Sequence, residues 1–255
     1  MLEVKQLFAG YPGKPVLQGI DLQVPAGKVT AILGPNGCGK STLLKALCGV
    51  IPTQSSQILL GGEDLLSLPP RMLARKVAYL AQSRQVPDIT AYRLVLHGRF
   101  PYLAYPRRYR NEDHACAQGA MEQMGVWKYR DTLLENLSGG ERQKVYIAMA
   151  LAQDTPVILL DEPTTYLDIS HQLQTMQLAR DLARQGKTVL MVIHDLPHAF
   201  QMADQLILMR DGRVVAEGTP EALYASGKIN AVFGVRLARA QTESGWRYYC
   251  EAAME

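Results

Sequence analysis

The sequence predicts an α/β protein: a core parallel sheet preceded by an antiparallel β-subdomain and interrupted by an inserted α-helical subdomain. Three observations carry this. Val29-Thr30-Ala31-Ile32-Leu33, Val157-Ile158-Leu159-Leu160 and Thr188-Val189-Leu190-Met191-Val192-Ile193 are short, aliphatic and β-branched without polar alternation, as strands buried on both faces are. Gly34-Pro35-Asn36-Gly37-Cys38-Gly39-Lys40-Ser41 follows the first of these and precedes a run of good helix formers, so it fits the phosphate-loop pattern G-x-x-x-x-G-K-[ST] in the strand, loop and helix setting that the pattern requires. Between 90 and 153 the periodicity turns helical, with Val145, Ala148, Met149 and Ala152 on one face.

Taken in order, residues 2–11 and 16–24 read as an antiparallel pair of strands joined by Tyr11-Pro12-Gly13-Lys14-Pro15. Tyr11 ends the first strand, where its ring suits stacking on a base and equally suits packing of the turn. In the phosphate loop, residues without Cβ let N–H groups converge on phosphate oxygens, and the helix start behind them favours an anion. Gly34, Asn36, Gly37, Gly39, Lys40, Ser41 and Thr42 are the candidate binding set, with Lys40 reaching the β- and γ-phosphates and the Ser41 hydroxyl ligating Mg²⁺.

Residues 57–62 read as a strand and turn, and Pro69-Pro70 opens a helix through Ala74. The strand over 77–82 ends in Gln82. Ligands gather at the carboxyl ends of strands in such sheets, so Gln82 is a candidate Mg²⁺ or water contact, although a solvated amide also fits that place. Helices follow over 90–98, 111–125 and 140–153. Their connector, His97 to Arg110, mixes cations with aromatics, a composition that suits single-stranded nucleic acid. The net charge of only +3 favours a solvated or protein-docking loop instead.

The strand over 156–161 ends in Asp161 and Glu162, beside the phosphate loop. Asp161 can hold Mg²⁺ through water, and Glu162 can orient or deprotonate an attacking water. A helix spans 169–185 with Ile169, Leu173, Met176 and Ala183 near one face. The strand over 188–193 leads into His194, placed to bond a γ-phosphate or to cap a helix. Residues 206–218 read as a hairpin closed by Asp211-Gly212. Beyond 219 the pattern is weak, and Trp246, Tyr248 and Tyr249 suggest a final strand or packing arm.

The expected organisation is a nucleotide-binding core with its antiparallel β-subdomain over 1–82 and 156–235, a helical subdomain over 83–155 and a C-terminal tail over 236–255. At 255 residues and 47% hydrophobic content, the chain can bury a core of this size. Four cysteines without a C-x-x-C pair point away from a disulfide framework or zinc site and towards reduced thiols in the cytosol. Met1 to Gln6 shows no secretory pattern, and no apolar run approaches the roughly 18 residues of a membrane span. A membrane role therefore implies docking to another chain.

Leu137-Ser138-Gly139-Gly140-Glu141-Arg142-Gln143, lying between the phosphate loop and the paired carboxylates, resembles the signature of ATP-binding-cassette ATPases, and the resemblance runs over nearly the whole chain. It implies a P-loop NTPase (RecA-like) core that uses ATP and Mg²⁺. Carried over position by position, Tyr11 resembles the adenine-stacking aromatic, Gln82 the glutamine-loop residue that also meets Mg²⁺, Glu162 the catalytic carboxylate, Asp168 the D-loop aspartate and His194 the switch histidine. The resemblance further implies a head-to-tail homodimer, in which Ser138, Gly139 and Gly140 of one chain close on the γ-phosphate held by Lys40 of the other. The phosphate loop, Gly98-Arg99-Phe100-Pro101-Tyr102, Glu162 to Gln172 and Ile193-His194-Asp195-Leu196 are similar to the ATPase subunits of bacterial iron-siderophore importers, with vitamin B12 and haem importers as relatives. That likeness implies separate transmembrane permease subunits, a periplasmic or surface binding protein met only indirectly, and a peripheral place on the cytoplasmic face of the bacterial inner membrane. It implies no nucleic-acid partner. A soluble cassette acting on nucleic acid or ribosomes is the rival reading, and an export ATPase is another.

Overall fold

The structure is a computed structural model that describes residues 1–54, 56–82, 86–165, 167–243 and 245–252. The expected start of the helical subdomain at 83–85, Tyr166 beside the D-loop, and the last three residues of the expected tail lie outside the described residues.

Strands β1 (Leu2–Tyr11) and β2 (Lys14–Val24) form the expected antiparallel pair, turning tightly so that Tyr11 faces Lys14. β3 (Val29–Leu33) is buried at every residue and delivers the chain to the phosphate loop and to α1 (Lys40–Leu47). The short β4 (Thr53–Gln54), β5 (Gln57–Leu60) and β6 (Glu63–Asp64) return to β1, making an antiparallel sheet of order β2-β1-β5-β6 with β4 also on β1. α2 (Pro70–Leu73) leads to β7 (Val77–Leu80). The helical part follows as α3 (Ala91–His97), α4 (Asn111–Gln123) and α5 (Gly139–Ala152).

The chain then re-enters the sheet through β8 (Val157–Asp161), α6 (Ile169–Arg184), β9 (Thr188–Val192), α7 (Leu196–Met202), β10 (Gln205–Arg210) and β11 (Arg213–Gly218). The main sheet runs β11-β10-β3-β9-β8-β7, parallel throughout except for the antiparallel β10–β11 hairpin. Alternate residues of its strands enter two different cores. Val29, Ala31, Leu33, Ile158, Leu160, Val189 and Met191 join the core shared with α3, α5, α6 and α7; Ile32, Val157, Leu159, Leu190 and Val192 join the core under α1 and the antiparallel sheet. The absence of polar alternation in these strands has this cause.

The face expected for α6 differs in detail. Met176 and Ala183 are buried with Thr175, Ala179 and Leu182, whereas Ile169 and Leu173 are 73% and 55% exposed, because the first turns of α6 run past the edge of the core. The region after 219 holds more than one strand: α8 (Pro220–Ser226), α9 (Lys228–Phe233) and a hairpin of β12 (Val235–Thr242) and β13 (Gly245–Ala252). Tyr248 of β13 packs its ring 5.0 Å from Phe200 of α7 and 5.7 Å from Tyr224 of α8. Among the described residues, no helix is long and apolar enough to cross a membrane.

Candidate functional site

The carboxyl ends of β3, β8 and β9 lie side by side, so the loops after them meet where parallel sheets gather ligands. The loop after β3 is tied from below. A Cβ on Gly34 would stand 2.4 Å from the Met209 carbonyl oxygen, so the backbone there approaches β10 as only glycine permits. Lys40 is 6% exposed, and its Nζ donates to the Gly34 and Pro35 carbonyls at 2.7 and 3.0 Å, arching the loop around the ammonium. α1 starts on Gly39, held in the left-handed region.

Asp161 ends β8 and is 1% exposed. Its carboxylate accepts from Ser41 Oγ at 3.0 Å and from Tyr79 Oη at 3.1 Å. Burial nevertheless pushes the Asp161 carboxyl above its usual range, the two hydroxyl donors offsetting only part of the desolvation. A buried carboxylate bonded to a serine hydroxyl, with the Gln82 amide lining the cleft above, is an all-oxygen donor set of the kind a hard divalent cation takes, so these residues fit Mg²⁺. Among the described residues there is no cluster of three or more His, Cys, Asp or Glu that would make a metal site of its own.

Glu162 follows in a left-handed conformation, φ 51°, which turns its side chain out of the strand direction. One carboxylate oxygen accepts from Gln82 Nε2 at 2.6 Å and from Thr165 Oγ1 at 3.3 Å, and the other contacts His194 Nε2. Tyr11, Asn36, Gly37, Gly39, Lys40, Ser41, Thr42, Gln82, Glu162 and His194 thus line one cleft of about 480 Å³, with Lys14 and Val16 completing its wall. Gly34 and Asp161 support it from beneath. Tyr11 is 44% exposed at the rim, and Lys45 Nζ donates to its hydroxyl at 3.4 Å.

The remaining predicted residues lie elsewhere. Ser138 caps α5 through a reciprocal box in which Glu141 N donates to Ser138 Oγ at 3.3 Å and Ser138 N donates to Glu141 Oε2 at 3.0 Å. Hydrogen bonds from Tyr129 and then Ser138 pull the Glu141 carboxyl down to about 2. Asp168 caps α6, accepting from His171 N at 2.9 Å and pairing with His171 Nδ1 at 2.9 Å. Ser138, Gly140, Glu141, Lys144, Asp168 and His171 line a second cleft of about 410 Å³, with Gly139 in the first turn of α5 beside them. The two clefts share no lining residue.

Sequence reasoning missed Tyr79, Thr165 and Lys14. Tyr79 and Thr165 act through partners distant in sequence or through a strained turn, and no local pattern marks them; Lys14 sits in a readable Pro-Gly-Lys turn. The connector rich in Arg and Tyr is mostly consumed by its own packing. Arg99 is 7% exposed, donates to Asp113 at 3.0 Å and lies 3.9 Å from the Tyr102 ring; Arg71 and Arg75 donate to the Pro101 carbonyl, and Arg107 lies 5.0 Å from the Phe100 ring. Tyr105 stands clear at 97% exposure, and Arg107, Arg108 and Arg110 are exposed beside it.

A model of the ABC transporter family matches residues 17–165. The chain is similar to the ferric enterobactin transport ATP-binding protein FepC of Escherichia coli, at 40% identity over 92% of this chain and 88% of that one. It is similar to the iron(3+)-hydroxamate import ATP-binding protein FhuC of Bacillus subtilis, at 39% identity over 92% and 88%. Among solved structures, a metal-chelate type ABC transporter in an inward-facing conformation superposes with a TM-score of 0.83 and 26% identity, covering 98% of this chain and 97% of that chain.

Proposed function

The chain belongs to the ATP-binding proteins of the ABC transporter family, and from that premise we propose that it is the ATP-hydrolysing subunit of a binding-protein-dependent importer of ferric siderophore complexes. The carrying observation is the first cleft, where Lys40, the Ser41–Asp161 pair and the Glu162–Gln82–His194 group converge within one pocket. Lys40 and the N–H groups of Gly37 and Gly39 bind the β- and γ-phosphates, and Tyr11 takes the adenine. Ser41, Asp161 and Gln82 would hold Mg²⁺, which would supply neutralisation of the phosphate charge. Glu162 receives a proton from the attacking water, and Gln82 and His194 hold its carboxylate at the γ-phosphate side. Asp168 steers the start of α6 beside the signature.

The second cleft carries the other half of the reaction. The N-terminus of α5 with Ser138, Gly139 and Gly140 suits an anion, and in a head-to-tail homodimer it covers the γ-phosphate on a partner's Lys40. Closure and reopening are passed through the helical subdomain to separate permease subunits, with the surface around Gln82 and the 90–110 connector, Tyr105 included, as the docking face. The chain then works at the cytoplasmic side of the cell membrane, and a substrate-binding protein outside delivers cargo that never touches this subunit. The kinship with enterobactin and hydroxamate transport proteins supports iron-chelate cargo over vitamin B12 or haem. The buried state of Arg99 and the internal stacking of the connector weigh against a nucleic-acid role.

Reconstitution of the chain with its membrane partners in vesicles tests the reading. ATP-dependent uptake of a ferric siderophore, above that of cobalamin or haem, is expected. Uptake of cobalamin alone would move the cargo assignment, and tight RNA binding that collapses with salt would remove the transport reading.

A further inference from the structure

The Asp211-Gly212 turn, which closes the β10–β11 hairpin and belongs to no nucleotide motif, touches the phosphate loop. Gly212 N donates to the Cys38 carbonyl at 3.0 Å, and the Gly212 carbonyl accepts from Gln18 N at 3.0 Å. The turn is thus wedged between β2 and the loop. Gly212 sits at φ +74°, and a Cβ there would stand 1.9 Å from the Val16 carbonyl oxygen, a backbone atom that cannot swing aside. A Cβ on Gly39 would in turn lie 3.8 Å from Gly212 Cα, so the two segments are in direct contact. Only glycine fits at 212, on both conformational and steric grounds.

The consequence lies in one peptide plane. In a trans peptide the carbonyl of one residue and the N–H of the next point in opposite directions. The Cys38 carbonyl is held outward, towards the hairpin, so the Gly39 N–H is turned to the other side, and Gly39 lines the first cleft. We propose that Gly212 is a positioning residue for nucleotide binding: its N–H anchors the Cys38–Gly39 peptide in the orientation that presents the Gly39 N–H to a phosphate oxygen. The proposal rests on the first cleft being the nucleotide site. A rotated peptide would put the Cys38 carbonyl there instead, replacing an attraction with a repulsion.

The test measures ADP binding by calorimetry and the kinetics of ATP hydrolysis on the full chain. Two changes at 212 are compared: Gly212→Ala, which forces the turn off Val16, and an amide-to-ester replacement of Gly212 by glycolic acid, which deletes the N–H and adds no side chain. Either change should weaken ADP binding and raise KM for ATP about 10-fold to 100-fold, the worth of one charge-assisted hydrogen bond, with kcat within about twofold because ground and transition states lose the contact alike. Arg213→Ala, which frees the turn from the Gln18 side chain but keeps the amide, should leave the ADP Kd within about twofold. If Gly212→Ala fails to fold, the ester variant decides. An ester Kd within twofold of wild type overturns the role of Gly212, as does an Arg213→Ala loss equal to that of the ester. Failure of the wild-type chain to bind ADP overturns instead the reading on which the proposal stands.

Discussion

The two clefts are built by opposite means. The first cleft is shaped from below, by the nearly buried Lys40 and Asp161 and by contacts that join residues far apart in sequence: Gly34 to Met209, Ser41 to Asp161, Gln82 to Glu162. The second cleft is shaped on the surface by bonds between residues three apart, Ser138 with Glu141 and Asp168 with His171. Long-range burial makes the first preorganised and costly to disturb. Local capping makes the second a prepared helix end whose geometry is set by its own neighbours.

Three substitutions and one titration probe that contrast. Glu162→Gln should leave ADP and ATP binding near wild type while lowering kcat for phosphate release by roughly 10²-fold to 10⁴-fold, the usual worth of a general base; near-normal hydrolysis would refute the role of Glu162. Lys40→Ala removes the cation and leaves two loop carbonyls without their donor, so nucleotide affinity measured by calorimetry should fall about 100-fold. A loss no larger than that from a rim residue would erase the distinction between the clefts. Ser138→Ala should cut steady-state hydrolysis about tenfold and weaken the α5 cap by about 1 kcal/mol, with the nucleotide Kd of the single chain unchanged. A matching loss of Kd would place Ser138 in the first cleft and break the comparison.

The smallest effect is a divergence with pH. Glu141 titrates at about 2 in the folded chain against an ordinary 4.5, so the stability it gives α5 is complete above the unfolded value and drains away as pH falls from 4.5 towards 2. Asp161 has the opposite sign: burial raises its folded pKa, so its charge costs stability at neutral pH and that cost lifts as pH falls through the raised value. Carbon-13 spectra of the two carboxyls should show Glu141 protonating well after Asp161. The reverse order would mean that the cap bonds do not hold in solution.

Much of this was legible because the informative features are local. The buried strands announced themselves by missing polar alternation, and the loops after β3, β8 and β9 by their end residues. Exposure of Ile169 and Leu173 was not legible, since periodicity gives a face to a helix but not the length of core it covers. The helices α7 and α8 were missed although Asp195 with Pro197 and Thr219 with Pro220 are readable starts, each with a side-chain cap bond. Tyr79 under Asp161 and Gly212 against Cys38 lay beyond any local pattern, because the sheet order that brings them together is set only when the whole core forms.

That the two clefts have no residue in common has a genetic corollary. In the head-to-tail pair proposed above, a chain damaged at Lys40 would keep a sound signature face and a chain damaged at Ser138 a sound phosphate grip, so each defect would be recessive to the other. Mixed in equal amounts, two impaired variants would form mixed pairs in roughly half of all dimers, each with one whole site and one doubly broken site. Hydrolysis by the mixture above the mean of its two impaired components would then report the whole site of each mixed pair.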